Sequence, residues 1–206
     1  MSAMEPSTTA SSGTPGLRER KKLKTRHTIQ REAFRLFAEH GYDATSIDQI
    51  AAAAEISPST FFRYFSTKED VVVSDEYDPM LAVALRTRPA DEPILDAIRH
   101  AISDLMNQML AADRDELLFR ARLTYTVPAL RARSLEEQLR SQDAVAALIA
   151  ERTGRSPNDL TVNCAAAMIT AVAAVIVRHW VEGDGVDDLA ELFDRHIALL
   201  SSGLHL

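Results

Sequence analysis

The 24 residues from Thr45 to Lys68, TSIDQIAAAAEISPSTFFRYFSTK, admit few arrangements. They read as two short helices joined by a tight turn, with a third helix starting at the end. Thr45 can cap the first helix, and Asp48, three residues on, can bond the cap's own backbone N–H in return. Ile47, Ile50, Ala51 and Ala54 follow at i, i+3, i+4 and i+7 and give one apolar face. Ser57 and Pro58 form a second cap, with proline at the first helical position, where its missing N–H costs nothing. Phe61 and Phe65, four apart, would pack the second helix on the first. Ser59, Thr60, Phe62, Arg63 and Tyr64 are left on the exposed side. Hydroxyls, a guanidinium and aromatics on a short helix after a turn suit a helix that enters the DNA major groove.

Charge supports that reading once its distribution is followed. The chain of 206 residues carries a net −7, yet residues 17–35 hold eight Lys/Arg against two Glu. Residues 71–206 hold 13 basic side chains against 21 acidic ones. A basic arm beside an acidic body presents one end of the molecule to phosphate. A charge run is more commonly a solvated helix face, but this one directly precedes the two-helix stretch.

The remainder reads as helix throughout. Gly (7) and Pro (8) are sparse, no strand-like alternation occurs, and a 46% hydrophobic content can fill a core. Residues 1–16, rich in Ser, Thr, Pro and Gly, should be a disordered tail. A helix begins near Leu17, with Thr25, Ile29, Ala33, Leu36 and Phe37 on one face, and Gly41 should stop it. Thr67 and Asp70 form a capping-box start for a helix expected to run to about Thr87. Further helices are expected from Pro93 to about Ala112, Arg114 to Thr124, Pro128 to Arg152, Pro157 to Glu182, and Asp187 to about Ser201. The division is a tail at 1–16, a DNA-binding domain at 17–70 and a helical body at 71–206.

The helix ending at Glu182 is apolar nearly all round between Cys164 and Val177, so every side of it should be covered. A second copy packed on the last two helices would do that, giving a twofold homodimer. No apolar run is expected to reach the ~18 residues of a membrane span. The single cysteine excludes an internal disulfide and fits the cytoplasm.

The stretch FAEHGYDATSIDQIAAAAEISPSTFFRYFSTKEDV, behind its basic helix, resembles the N-terminal domain of TetR-family transcriptional regulators over roughly Arg20 to Val73. The resemblance rests on Gly41-Tyr42, Thr45-Ser46, Ile50-Ala51, Ser57, Thr60, Tyr64-Phe65 and Lys68-Glu69. The body from Thr124-Tyr125-Thr126-Val127-Pro128 to Trp180 resembles that of actinobacterial mycofactocin-associated regulators. The resemblance implies an all-α chain of about nine helices: a three-helix helix-turn-helix head and a ligand-binding body that dimerises through its last two helices. It implies a repressor released from a palindromic operator by a small, hydrophobic ligand. The DNA-contacting set it implies is Thr45, Ser46, Ser57, Pro58, Ser59, Thr60, Phe62, Arg63, Tyr64 and Lys68. Ser46, Tyr64 and Lys68 would hold phosphates, and Arg63 would pair with guanine or with phosphate. Three positions depart from the family pattern. Glu55 replaces a turn glycine, Phe62 a common tyrosine, and Asp48 an arginine that reads bases in some members.

A ligand would lie among the body helices. Met106, Met109, Phe119, Tyr125, Met168 and Trp180 are adaptable or aromatic and can be core or cavity wall alike. Asn107, Arg122, Asn163 and His179 are polar residues in apolar helices that could orient a ligand, and Arg122 with Arg178 could pair with an anionic group. No phosphate loop, zinc-protease pair or nucleophile elbow occurs, so an enzyme is not expected. Cys164 has no charged activator nearby in sequence, and the histidines lack a metal-binding pair on one helix. Neither a metal nor a cofactor is expected. The alternative is a helical scaffold for proteins that binds no specific DNA; it would show no salt-dependent DNA affinity.

Overall fold

The computed structural model describes residues 17–74 and 77–202; the predicted tail at 1–16 lies outside them. Among the described residues there are nine α-helices and no strand. They are α1 (Leu17–His40), α2 (Ile47–Ala53), α3 (Pro58–Phe62), α4 (Lys68–Val73), α5 (Tyr77–Arg86), α6 (Ile94–Thr126), α7 (Pro128–Thr153), α8 (Leu160–Glu182) and α9 (Leu189–Ser202).

The head forms where the apolar faces of α1 to α4 meet. Ile29, Ala33, Leu36 and Phe37 are buried on α1, Ile50, Ala51 and Ala54 at α2, and Phe61 and Phe65 around α3. Gly41 ends α1 at φ +85°, a conformation that costs glycine nothing. The turn between α2 and α3 places Glu55 at φ +55°, so the residue standing for the family's glycine does take the left-handed conformation. Leu130 of α7 belongs to this core, and Phe119, Leu123 and Val127 pack against it. The turn from α6 to α7 is therefore plugged into the head.

Four expectations need correcting. The cap of α2 is Ser46, not Thr45, and its capping-box partner is Gln49 rather than Asp48. Thr45 points inward because its hydroxyl donates to the carbonyls of Gly41 (2.9 Å) and Leu36 (3.3 Å) at the end of α1. The helix expected from Thr67 to Thr87 is interrupted, with Ser74 extended after α4. The interruption has a tertiary cause. Gln30 of α1 donates to Val71 O and Ser74 O, Arg26 to Ser74 O, and Arg120 of α6 to Val72 O at 2.6 Å. Side chains from two other helices thus satisfy the carbonyls that a continuing helix would have used. Helix α8 starts after its cap Asp159, not at Ser156-Pro157.

The fourth correction concerns α8. Its 23 residues are long and apolar enough to cross a membrane. Val162, Ala166, Ile169, Ile176 and Trp180 instead face the body core. Its opposite side, with Leu160, Met168 and Val175, is more than half exposed. The break expected between Ala112 and Arg114 is present as a kink at Asp113 within α6 (φ −161°, ψ 90°). The Asp113 carboxylate accepts the Glu116 N–H at 2.9 Å and caps the second half.

Candidate nucleic-acid interface and body cavity

The surface proposed to read DNA is built on α3. Ser57 caps it and accepts the Thr60 N–H at 3.1 Å. The Ser57 hydroxyl also lies 2.9 Å from that of Ser59 and donates to that of Thr60 at 3.0 Å. Three hydroxyls therefore share one exposed turn. Pro58, Ser59, Phe62 and Arg63 are exposed there, and Ser46 is exposed at the start of α2. Arg63, the C-cap of α3, makes no ion pair among the described residues. Tyr64 is half-buried, and its carbonyl accepts from Arg26.

Two members of the expected set face inward. Thr45 is 2% exposed and pins the α1–α2 turn through its hydroxyl. The Lys68 ammonium donates to Tyr42 O (2.8 Å) and Thr45 O (3.0 Å) and sits 4.1 Å from the centre of the Tyr42 ring. It locks the same turn, and Lys68 as a whole is half-buried. Tyr42 completes the lock by donating to Glu69 at 2.8 Å. Burial first, and that carboxylate second, push its phenol pKa up.

The body holds a half-open cavity of about 340 Å³, bounded by α4 to α9. Its walls are mainly apolar, from Leu81, Ile102, Leu105, Ile169, Ala173 and Phe193 among others. Of the residues singled out for a ligand, Met106, Tyr125 and Trp180 line it. The Tyr125 hydroxyl donates to Ala174 O at 2.9 Å, and burial raises its pKa, so it stays a neutral donor. Trp180 is 1% exposed and donates its indole N–H to Asp187 O.

The other seven lie elsewhere. Met168 is 51% exposed on α8. Asn107 is exposed, Met109 packs against the body core, and Phe119 packs on the head core. Arg122 reaches outward to Asp184 at 2.7 Å. Asn163 caps its own helix start through Pro157 O and Asp159 O. His179 is exposed beside Asp187. Arg178 is likewise exposed, outside the cavity wall, so the pair proposed for an anion does not form.

Sequence reasoning missed several polar wall residues, among them Tyr77, Asp78, Glu137, Gln138 and, best placed of them, Arg120. It lines the cavity while donating to Val72 O and Val73 O, which are themselves wall residues at the end of α4. Its signal in the sequence was a lone arginine between Leu117 and Thr124 on one helical stripe. A second link from body to head lies nearby. Asp70 of α4 accepts its cap's N–H from Thr67 (3.1 Å) and pairs with Arg133 of α7 at 2.9 Å. That carboxylate is the main reason the Arg133 pKa is raised.

This arrangement agrees with what the chain is similar to. The family model for bacterial regulatory proteins of the tetR family matches residues 29–74, and that for the MftR C-terminal domain matches residues 92–205. TcmR, an HTH-type transcriptional regulator of Streptomyces glaucescens, is 33% identical over 85% of this chain and 81% of its own. The Mycobacterium tuberculosis protein assigned as the mycofactocin biosynthesis transcriptional regulator MftR is 27% identical over 90% of this chain and 93% of its own. Among solved structures, FadR of Bacillus subtilis in complex with stearoyl-CoA shares the fold. Its TM-score is 0.60 at 24% identity, over 87% of this chain and 99% of that one.

Proposed function

Because the chain belongs to the TetR family of bacterial transcriptional regulators, we propose that it is a cytoplasmic homodimeric repressor that a small apolar molecule releases from a palindromic operator. Family membership sets aside the protein-scaffold alternative, and regulators of this family are not enzymes.

The observation that carries the release step is the double role of α4. Val71, Val72 and Val73 belong to the head core, while Val72 and Val73 also line the cavity. A molecule that fills the cavity therefore presses on the helix that seats the DNA-reading surface. Release follows only if ligand and DNA favour different positions of that helix. Arg120 and Arg133 are the two handles, one on the α4 carbonyls and one on its cap. A volume of 340 Å³ with mainly apolar walls suits an apolar occupant of modest size. The acyl chain of the molecule held by the Bacillus subtilis FadR is one chemistry of that kind.

The dimer is proposed from α8. Leu160, Cys164, Met168, Ala171 and Val175 recur at three- and four-residue spacing along its exposed side. A second copy of the same stripe would cover them, and its twofold axis would set two α3 helices about one duplex turn (~34 Å) apart or somewhat more.

The test joins two measurements. Binding of the purified protein to its own upstream DNA is followed at physiological salt against excess scrambled competitor. Occupancy of the cavity by lauroyl-CoA is read from Trp180, the one tryptophan of the chain. Competitor-resistant binding that falls as Trp180 emission shifts is the expected result. Weak, sequence-blind binding would overturn the regulator, and a shifted emission with DNA binding unchanged would overturn release by this class of molecule.

A further inference from the structure

Phe62 stands out on the head. Phe34, Phe37, Phe61 and Phe65 are 6% exposed or less, but Phe62 is 53% exposed. It ends α3, beside the hydroxyls of Ser59 and Thr60 and the open guanidinium of Arg63. Its ring meets the fully buried Phe61 edge-on, with centroids 5.6 Å apart and planes at 86°. A contact of that kind limits the ring's freedom, so Phe62 is a rigid apolar projection from a polar surface.

We infer that Phe62 is a specificity-determining residue that reads the C5-methyl group of one thymine in each operator half-site. The inference rests on the DNA-reading surface proposed above. A phenyl ring neither donates nor accepts a conventional hydrogen bond, so it cannot recognise the polar edges of guanine, cytosine or adenine. The apolar feature that base edges offer in the major groove is the thymine methyl. Burying it against the ring removes two apolar surfaces from water at once. The surroundings suit duplex DNA as the occupant. Arg26 packs over the Phe65 ring at 4.3 Å and bonds Tyr64 O, which brings the start of α1 to this end of α3. The exposed Arg20, Lys21, Lys22 and Lys24 lie within two turns of Arg26 on the N-terminal side of that helix. An apolar ring beside a basic arm fits a polyanion with methyl groups in its groove.

The test starts with full-length protein and a random duplex library, from which the bound sequence is enriched. Each thymine of that sequence is then replaced in turn by deoxyuridine, which keeps every hydrogen-bonding group and lacks only the methyl. With the natural protein, one replacement per half-site is expected to weaken binding about four-fold, and the symmetric pair about fifteen-fold. With Phe62→Ala, binding of the thymine operator falls to that level and the same replacements have no further effect. Phe62→Leu, which keeps an apolar tip, retains part of the thymine preference. Far-UV circular dichroism checks that each variant is folded. If no thymine loses its sensitivity in Phe62→Ala, the inference is overturned. The same holds if Phe62→Tyr binds the thymine and deoxyuridine duplexes tighter by the same factor, since that marks a contact to the backbone and not to the base. If no sequence is enriched at all, the regulator reading falls and the inference with it.

Discussion

Replacing Leu130 by alanine tests how the head is held. Leu130 is fully buried, and although it sits in the first turn of α7 it belongs to the head core. The substitution deletes three carbons, worth about 0.8 kcal/mol each or about 2.4 kcal/mol in transfer free energy. The cavity left behind adds to this and brings the cost to about 3–4 kcal/mol. In a chain of this size that lowers the melting temperature by roughly 10 °C. The loss should not be uniform. Far-UV circular dichroism follows all helices, whereas Trp180 reports only the body, whose core it shares. The expected result is an early loss of helical signal from the head while the Trp180 transition moves little, with operator binding lost over the first phase. Leu135→Ala, five residues on but 61% exposed, should stay within about 0.5 kcal/mol of the natural protein. A cost for Leu130→Ala below about 1 kcal/mol would refute its core role. Equal shifts in both probes would refute its assignment to the head.

Three further outcomes are expected. Glu55→Gly relieves a left-handed residue for about 1–2 kcal/mol and gives back about 0.5–1 kcal/mol in unfolded-chain entropy; denaturant unfolding without DNA should show a net gain of about 0.5–1 kcal/mol, and a loss would contradict the strain. Met168→Asp places a charge on the exposed stripe of α8; sedimentation should find monomer with an unchanged dichroism spectrum and no operator binding, whereas an intact dimer would move the interface elsewhere. The Glu92 carboxyl is held down to about 2, first by the Arg88 guanidinium at 2.7 Å and then by the His100 ring. Because its folded pKa is depressed, its contribution to stability is complete above the unfolded value near 4.5 and disappears as pH falls toward 2. NMR titration should find Glu92 still ionised at pH 3.5 and Arg88→Ala returning it toward 4.5; a natural protein in which Glu92 titrates normally would exclude the triad in solution.

Local chemistry made much of this fold legible. Gly41, the Ser57-Pro58 cap, the Thr67–Asp70 box and the break at Asp113 each act within one turn, so their residues predict them directly. The errors fall where distant side chains decide. Ser74 ends α4 because Gln30, Arg26 and Arg120 take its carbonyls, and none of those lies near it in sequence. A one-residue error at the cap of α2 turned the buried Thr45 into a surface residue. In the cavity, Met106, Tyr125 and Trp180 could be told from core only by the space beside them. Phe119 and Arg122 sit past the kink in α6, where the helical phase set by residues 94–112 no longer says which way a side chain points. The reach of Lys68 across to the Tyr42 carbonyl had no sequence signature at all.

The kink itself has a consequence for how such a protein changes its ligand. Thirty-three residues of straight helix would be a rod of about 50 Å, presenting one flat stripe to its neighbours. Bent at Asp113, the helix places Ile102, Leu105 and Met106 on one wall and Leu117, Arg120, Ala121 and Tyr125 on another, and the hollow between them is the cavity. Asp113 itself is exposed and is not part of the cavity wall. The shape of the binding space is thus governed from a surface position, and a substitution there can redraw the hollow while every lining residue stays the same. Selection for a new effector need not begin at the residues that would touch it.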